Sequence, residues 1–147
     1  MVDTDSMNES TATVQPEESR VVDTRKPVIR ILIADDHPIV RDGLRKLLSL
    51  EDDFEIVGEA TNGAEAVTKY TELKPDLVTM DITMKVKDGL EAAREILAAD
   101  PNARIVMVTA LGQEKMLLDS IALGVRDFVV KPFTKERILS AVEKALR

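Results

Sequence analysis

Five side chains carry most of the chemical promise of this sequence. Asp35 and Asp36 are adjacent after Ile31-Leu32-Ile33-Ala34, and Asp81 ends Leu77-Val78-Thr79-Met80. Thr109 closes Ile105-Val106-Met107-Val108, and Lys131 follows Phe128-Val129-Val130. Three carboxylates brought together repel one another, and without a counter-ion one is pushed toward protonation. A lysine offsets part of that charge. A hard divalent cation offsets more, and an oxygen-only site with few protein ligands suits Mg²⁺. In such a setting a carboxylate can attack phosphorus and form an acyl phosphate, with cation and lysine neutralising the phosphoryl oxygens. Asp81 is the expected phosphoryl acceptor, because an acid at the end of an apolar run is poorly placed to hold a core together.

These residues are far apart in the chain, so elements of structure must bring them together. Val28–Ala34, Phe54–Gly58 (a shorter run), the stretch from Leu77 to Asp81, Arg104–Thr109 and Asp127–Lys131 read as strands. Helices alternate with them. His37-Pro38 opens the first, where proline's missing N–H is not needed, and Val40, Leu44, Leu47 and Leu48 form its inward stripe. Asn62 caps a helix carrying Ala64, Val67, Tyr70 and Leu73; Asp88-Gly89 leads into one with Leu90, Ala93, Ile96 and Leu97. The fourth helix turns Met116, Leu117 and Ile121 inward and stops at Gly124, and Thr134 caps the last, with Ile138, Leu139, Val142, Ala145 and Leu146 on one face.

Five apolar strands alternating with five helices predict an α/β domain: a flavodoxin-like, doubly wound, five-stranded parallel sheet with order 2-1-3-4-5. All C-terminal strand ends then lie along one edge, and the first and third strands are neighbours at the topological switch point. Asp at a strand end is by itself a common turn residue. Polar groups of complementary chemistry at four of five strand ends point to a site. His37 reads as a helix-entry residue rather than a ligand or base.

Composition narrows the alternatives. The chain of 147 residues has 27 acidic and 20 basic residues, a formal charge of −7, which argues against binding nucleic acid or anionic membrane by bulk electrostatics. With no cysteine there is no disulfide, thiolate metal site or cysteine catalysis, and a single histidine gives no histidine cluster. No run approaches the ~18 apolar residues of a membrane span, and no secretory signal is visible, so a cytoplasmic location is expected. Residues 1–27 hold six acids and three bases without apolar periodicity, and read as a disordered acidic leader to a domain at 28–147.

With these motifs in hand (Ile-Leu-Ile-Ala-Asp35-Asp36, Met80-Asp81, Asp88-Gly89, Val108-Thr109-Ala110 and Asp127-Phe128-Val129-Val130-Lys131-Pro132-Phe133), the sequence resembles the receiver domains of bacterial two-component response regulators. Residues 77–84, 110–113 and 127–133 look like single-domain chemotaxis regulators; residues 35–44 look like receivers attached to helix-turn-helix output domains. The resemblance implies that Asp81 takes a phosphoryl group from the phosphohistidine of a sensor histidine kinase or phosphotransfer protein. It implies that Asp35, Asp36, Asp81 and the backbone carbonyl of Thr83 hold Mg²⁺, that Lys131 contacts the phosphoryl group, and that Thr109 and Phe128 switch with it. It further implies a cis Lys131–Pro132 peptide, a downstream protein at the face of the fourth helix, fifth strand and fifth helix, and a monomer or phosphorylation-dependent dimer. One departure is Lys85, where the family usually has proline; it reads as a solvated lysine in a loop that proline would restrict.

Three other functions are weighed against this one. A DNA-binding transcriptional regulator would need a helix-turn-helix half of ~60 further residues, which this sequence does not contain. An aspartate-nucleophile phosphatase needs a second acid two residues past the nucleophile, where Thr83 stands. A nucleotide-binding protein is disfavoured because no two of the six glycines are two residues apart.

Overall fold

The computed structural model describes residues 27–147; the expected leader, through residue 26, lies outside the described residues. Strands and helices alternate as β1 (Ile29–Ala34), α1 (Pro38–Leu48), β2 (Phe54–Ala60), α2 (Gly63–Leu73), β3 (Leu77–Asp81), α3 (Gly89–Ala99), β4 (Ile105–Thr109), α4 (Glu114–Leu123), β5 (Asp127–Val130) and α5 (Lys135–Leu146). The strands form one parallel sheet in the order β2-β1-β3-β4-β5, the flavodoxin-like arrangement expected.

Alternating side chains divide the core between the two faces. Leu32, Ala34, Val78, Met80, Ile105 and Met107 pack under α2, α3 and α4. Ile31, Ile33, Leu77, Val106 and Val129 pack under α1 and α5. Because helices cover both faces, β3 and β4 are buried at every residue, which explains their largely apolar runs, broken only by Thr79 before the terminal Asp81 and Thr109. Helix ends follow local chemistry. Asn62, Asp88 and Thr134 accept hydrogen bonds from the N–H groups of Glu65, Glu91 and Arg137, and Gly124 ends α4 at φ +114°.

Two expectations are corrected. β2 is not the shorter strand but, at 7 residues, the longest: after an irregularity opposite Ile31 and Leu32 it stays paired with β1 through Ala60. Glu59 breaks the apolar pattern because β2 is an edge strand, half-buried at most positions, while Ala60 beyond it returns to the core. In α4, Ile121 faces solvent (43% exposed), and Ser120 takes the inward place. Ser120 is buried without penalty because its hydroxyl donates to the Leu117 carbonyl at 2.7 Å.

Candidate functional site

The first part of the site is set by the turn from β1 into α1. Asp35 and Asp36 follow the last residue of β1, and Pro38 occupies the first turn of α1 behind His37 at the N-cap. The Asp35 carboxylate accepts the His37 backbone N–H at 2.9 Å, and its carbonyl accepts Arg41 Nη1 at 2.8 Å. Arg41 is held in turn by Glu59, which Arg45 also engages. Burial pushes the Glu59 carboxyl up, but the two guanidinium groups outweigh it and leave its pKa lowered. The acid pair is therefore carried on a turn braced from β2.

Asp81 enters from the adjacent strand. In the pairing of β1 with β3, Ala34 is level with Met80, so Asp35 and Asp81 are the next residues along neighbouring strands. Both are buried, Asp35 at 1% and Asp81 at 4% exposure. Lys131, just past β5, reaches across with Nζ 3.0 Å from Asp35 Oδ2 and 3.5 Å from Asp81 Oδ1. The Lys131–Pro132 peptide is cis, as expected. Desolvation, followed by the charge of Asp35, raises the Asp81 pKa from 3.8 to about 6; Lys131 pulls it down, and Asp36 adds a smaller push upward. One lysine therefore does not compensate the cluster.

The residues present suit a cation. Asp35, Asp36, His37 and Asp81 each place a ligand atom within 4.8 Å of the others. Oδ1 of Asp36 and Oδ2 of Asp81 are buried with no hydrogen-bond partner, whereas Asp35 Oδ2 has Lys131 Nζ at 3.0 Å; buried carboxylate oxygens are costly unless positive charge faces them. An acidic pocket able to hold a metal ion is thus present. His37 is at the helix entry, as expected, but its ring was not anticipated at the site. Nδ1 lies 3.0 Å from Asp36 Oδ1, 3.1 Å from Asp35 Oδ1 and 4.0 Å from Asp81 Oδ2. The only sequence signal was its position directly after the acid pair.

The remaining expected residues line the same edge. Thr109 ends β4, whose Val108 is level with Asp81, and its side chain is buried. Its hydroxyl donates to Gln113 Oε1 at 2.7 Å, and Gln113 Nε2 donates to the hydroxyl of Thr83. Gln113 is a second residue the sequence reading missed: Gln at a helix start is unremarkable until the loop folds it back. Phe128 lies on β5, partly buried against the core, with the Arg137 guanidinium 5.8 Å from its ring centre.

The loop after Asp81 is held by close backbone approach. Gly89 N–H donates to the Ile82 carbonyl at 2.6 Å, and a Cβ at Gly89 would stand 1.9 Å from the Asp81 carbonyl oxygen. Gly63 N–H donates to the Lys87 carbonyl at 2.9 Å, tying the loop to the start of α2. Lys85 is exposed. The next residue, Val86, has φ +67°, unusual for a β-branched residue.

Comparison with known proteins agrees with this geometry. Residues 31–143 match the family model for the response regulator receiver domain. The chain is 48% identical over 120 residues to the chemotaxis protein CheY of Listeria monocytogenes, covering 82% of this chain and all of that protein. It is 50% identical over 117 residues to the Bacillus subtilis chemotaxis protein CheY, covering 80% of this chain and 97% of that one. Among solved structures, the CheX–CheY–BeF₃–Mg²⁺ complex from Borrelia burgdorferi is similar with a TM-score of 0.76 at 34% identity, over 81% of this chain and 90% of that one. With the five strand ends assembled as described, these likenesses show that the chain belongs to the response regulator receiver domains, the phosphorylation-switched modules of two-component signalling, and is similar to the CheY chemotaxis regulators.

Proposed function

We propose that Asp81 is the phosphoryl acceptor of a phosphorylation-switched signalling module. The observation that carries this reading is the carboxylate cluster of buried Asp35 and Asp81 with half-buried Asp36, in which a single Lys131 bridges Asp35 and Asp81 while Asp36 Oδ1 and Asp81 Oδ2 have no hydrogen-bond partner. An Asp81 carboxylate oxygen attacks the phosphorus of a donor phosphohistidine; a P–O bond forms, the P–N bond breaks, and the donor imidazole leaves. Hydrolysis of the acyl phosphate by water returns the Asp81 carboxylate and inorganic phosphate. Asp35, Asp36, Asp81 and the Thr83 carbonyl would hold Mg²⁺, which when bound supplies positive charge opposite the phosphoryl oxygens. Lys131 supports another phosphoryl oxygen, and Thr109 and Phe128 report the new dianion to the surface.

The donor is a sensor histidine kinase or phosphotransfer protein. An apolar groove beside Lys131, formed by Ile39, Val40, Leu47, Pro132 and Phe133, gives it a landing surface next to the site. The output is a protein contact on the α4–β5–α5 face, in a chemotaxis-like pathway. The exposed Leu118 and Ile121 of α4 support that assignment. The protein acts as a phosphoacceptor that catalyses its own transfer and hydrolysis. No helix among the described residues is long and apolar enough to cross a membrane.

Incubation with acetyl phosphate and Mg²⁺ is expected to give an acid-stable, base-labile phosphoprotein, and Asp81→Asn is expected to abolish the label. Equal labelling of Asp81→Asn would reassign the acceptor.

A further inference from the structure

The Thr109 hydroxyl is already committed. It has one proton, and the contacts available to that proton are Gln113 Oε1 at 2.7 Å and the Ala110 carbonyl at 3.2 Å. The neighbouring Ala110 N–H donates to the same Gln113 oxygen at 2.8 Å. Because a backbone N–H can only donate, this contact identifies Oε1 as the amide atom facing β4. Nε2 must then face the other way, and it donates to the Thr83 hydroxyl two residues past Asp81. One amide thus occupies two donors beside the acceptor and ties the β3–α3 loop to the β4–α4 loop.

Gln113 is not needed there for helix capping. It stands at the N-cap of α4, yet its side chain makes no cap hydrogen bond and reaches back over the loop instead. We infer that Gln113 is a positioning residue, a latch that holds the Thr109 hydroxyl and the Ala110 N–H away from the acceptor until a phosphoryl group on Asp81 competes for them. This rests on the reading of Asp81 and Thr109 given above. Breaking the latch opposes phosphorylation, so its strength sets part of the balance between the resting and phosphorylated conformations. Neutral hydrogen bonds are modest once exchange with water is counted, so removing the amide should favour the phosphoryl-bound form by roughly two- to tenfold.

The test uses beryllofluoride with Mg²⁺, an acyl phosphate mimic, bound to the full chain and followed by fluorine NMR. Gln113→Ala is expected to bind it roughly two- to tenfold more tightly than wild type. Thr83→Ala, which cuts the other end of the latch at an exposed residue, is expected to shift affinity in the same direction and serves if Gln113→Ala is poorly folded. In a Thr109→Ala background most of the Gln113→Ala gain should disappear, as a double-mutant cycle requires of a shared contact. A readout free of metal and mimic is the Thr109 side-chain torsion from NMR couplings: fixed in wild type, averaged in Gln113→Ala. Unchanged affinity and an unchanged Thr109 torsion would overturn the latch while leaving Asp81 as acceptor. Failure of wild type to bind beryllofluoride, together with acetyl phosphate labelling that survives Asp81→Asn, would instead overturn the reading of the site, and the latch with it.

Discussion

Asp81 should weaken the metal-free fold at neutral pH, and removing its charge should reveal by how much. In the folded protein its pKa is raised from 3.8 to about 6, by burial first and the charge of Asp35 second, against the opposing pull of Lys131. The folded state therefore holds the Asp81 proton more tightly than the unfolded chain. Below about pH 4 the carboxyl is protonated in both states, and its contribution to stability is fully present. As pH rises through about 6 the folded state must ionise a buried acid, and that contribution is lost. The difference between the two values corresponds to about 3 kcal/mol. Asp81→Asn keeps the size and polarity of the side chain, leaves Lys131 its 3.0 Å contact with Asp35, and has no charge to bury. In EDTA at pH 7 the variant should be up to about 3 kcal/mol more stable, roughly 10 °C in Tm for a domain of this size.

Thermal melts followed by far-ultraviolet circular dichroism between pH 4 and pH 8 test this directly. The gap between variant and wild type should be small at pH 4 and widen through pH 6. Glu59, whose lowered pKa costs stability as pH falls, is common to both proteins and cancels from the comparison. A variant less stable than wild type at pH 7, or a gap independent of pH, would refute the view that repulsion and burial outweigh the Lys131 attraction.

Mg²⁺ should restore what the carboxylates remove: at a hundredfold excess over Kd it should stabilise wild type by about 2.7 kcal/mol, with Asp36→Ala losing most of the Tm increase. Gly89→Ala puts a methyl group 1.9 Å from the Asp81 carbonyl oxygen, a backbone atom that cannot swing aside. It should cost about 1–3 kcal/mol in urea unfolding and weaken Mg²⁺ binding, because the acceptor loop itself must move. Val86→Gly should be neutral to stabilising by about 0.5 kcal/mol: relief of the left-handed conformation, ~1–2 kcal/mol, slightly exceeds the chain entropy that glycine adds, ~0.5–1 kcal/mol.

How much of this is legible in the sequence depends on the range of the physics involved. The strands β3 and β4 are readable because a sheet covered on both faces demands apolar residues on both: Val78, Met80, Ile105 and Met107 supply one face, Leu77 and Val106 the other. The caps Asn62, Asp88 and Thr134 are readable because each acts on an N–H three residues away. Once strand order is known, convergence of Asp35, Asp36, Asp81, Thr109 and Lys131 follows from topology alone. The misses share a different cause. Ile121 and Ser120 exchange places because packing against the rest of the domain, not composition, decides which side of a weakly amphipathic helix is covered. The Thr109–Gln113–Thr83 chain joins residues 30 apart through loop conformations that no periodicity encodes.

The same distinction applies to Lys85. A proline at this place would restrict the backbone through its own ring. Here restraint comes from elsewhere: the Ile82 carbonyl accepts from Gly89, the Lys87 carbonyl accepts from Gly63, and the Lys87 ammonium pairs with Glu95. Between these anchors Lys85 is free to stay in solvent, while its carbonyl accepts the Lys87 N–H at 2.7 Å across Val86 in its left-handed conformation. The segment that follows the acceptor is therefore fixed at both ends and strained at its middle. Since Thr83 joins this same segment to Gln113, tension in the turn and the hold on Thr109 act on one piece of backbone. A change at Val86 that relaxes the turn should accordingly alter beryllofluoride affinity as well as stability, whereas a surface change on α2 away from Gly63 should alter neither.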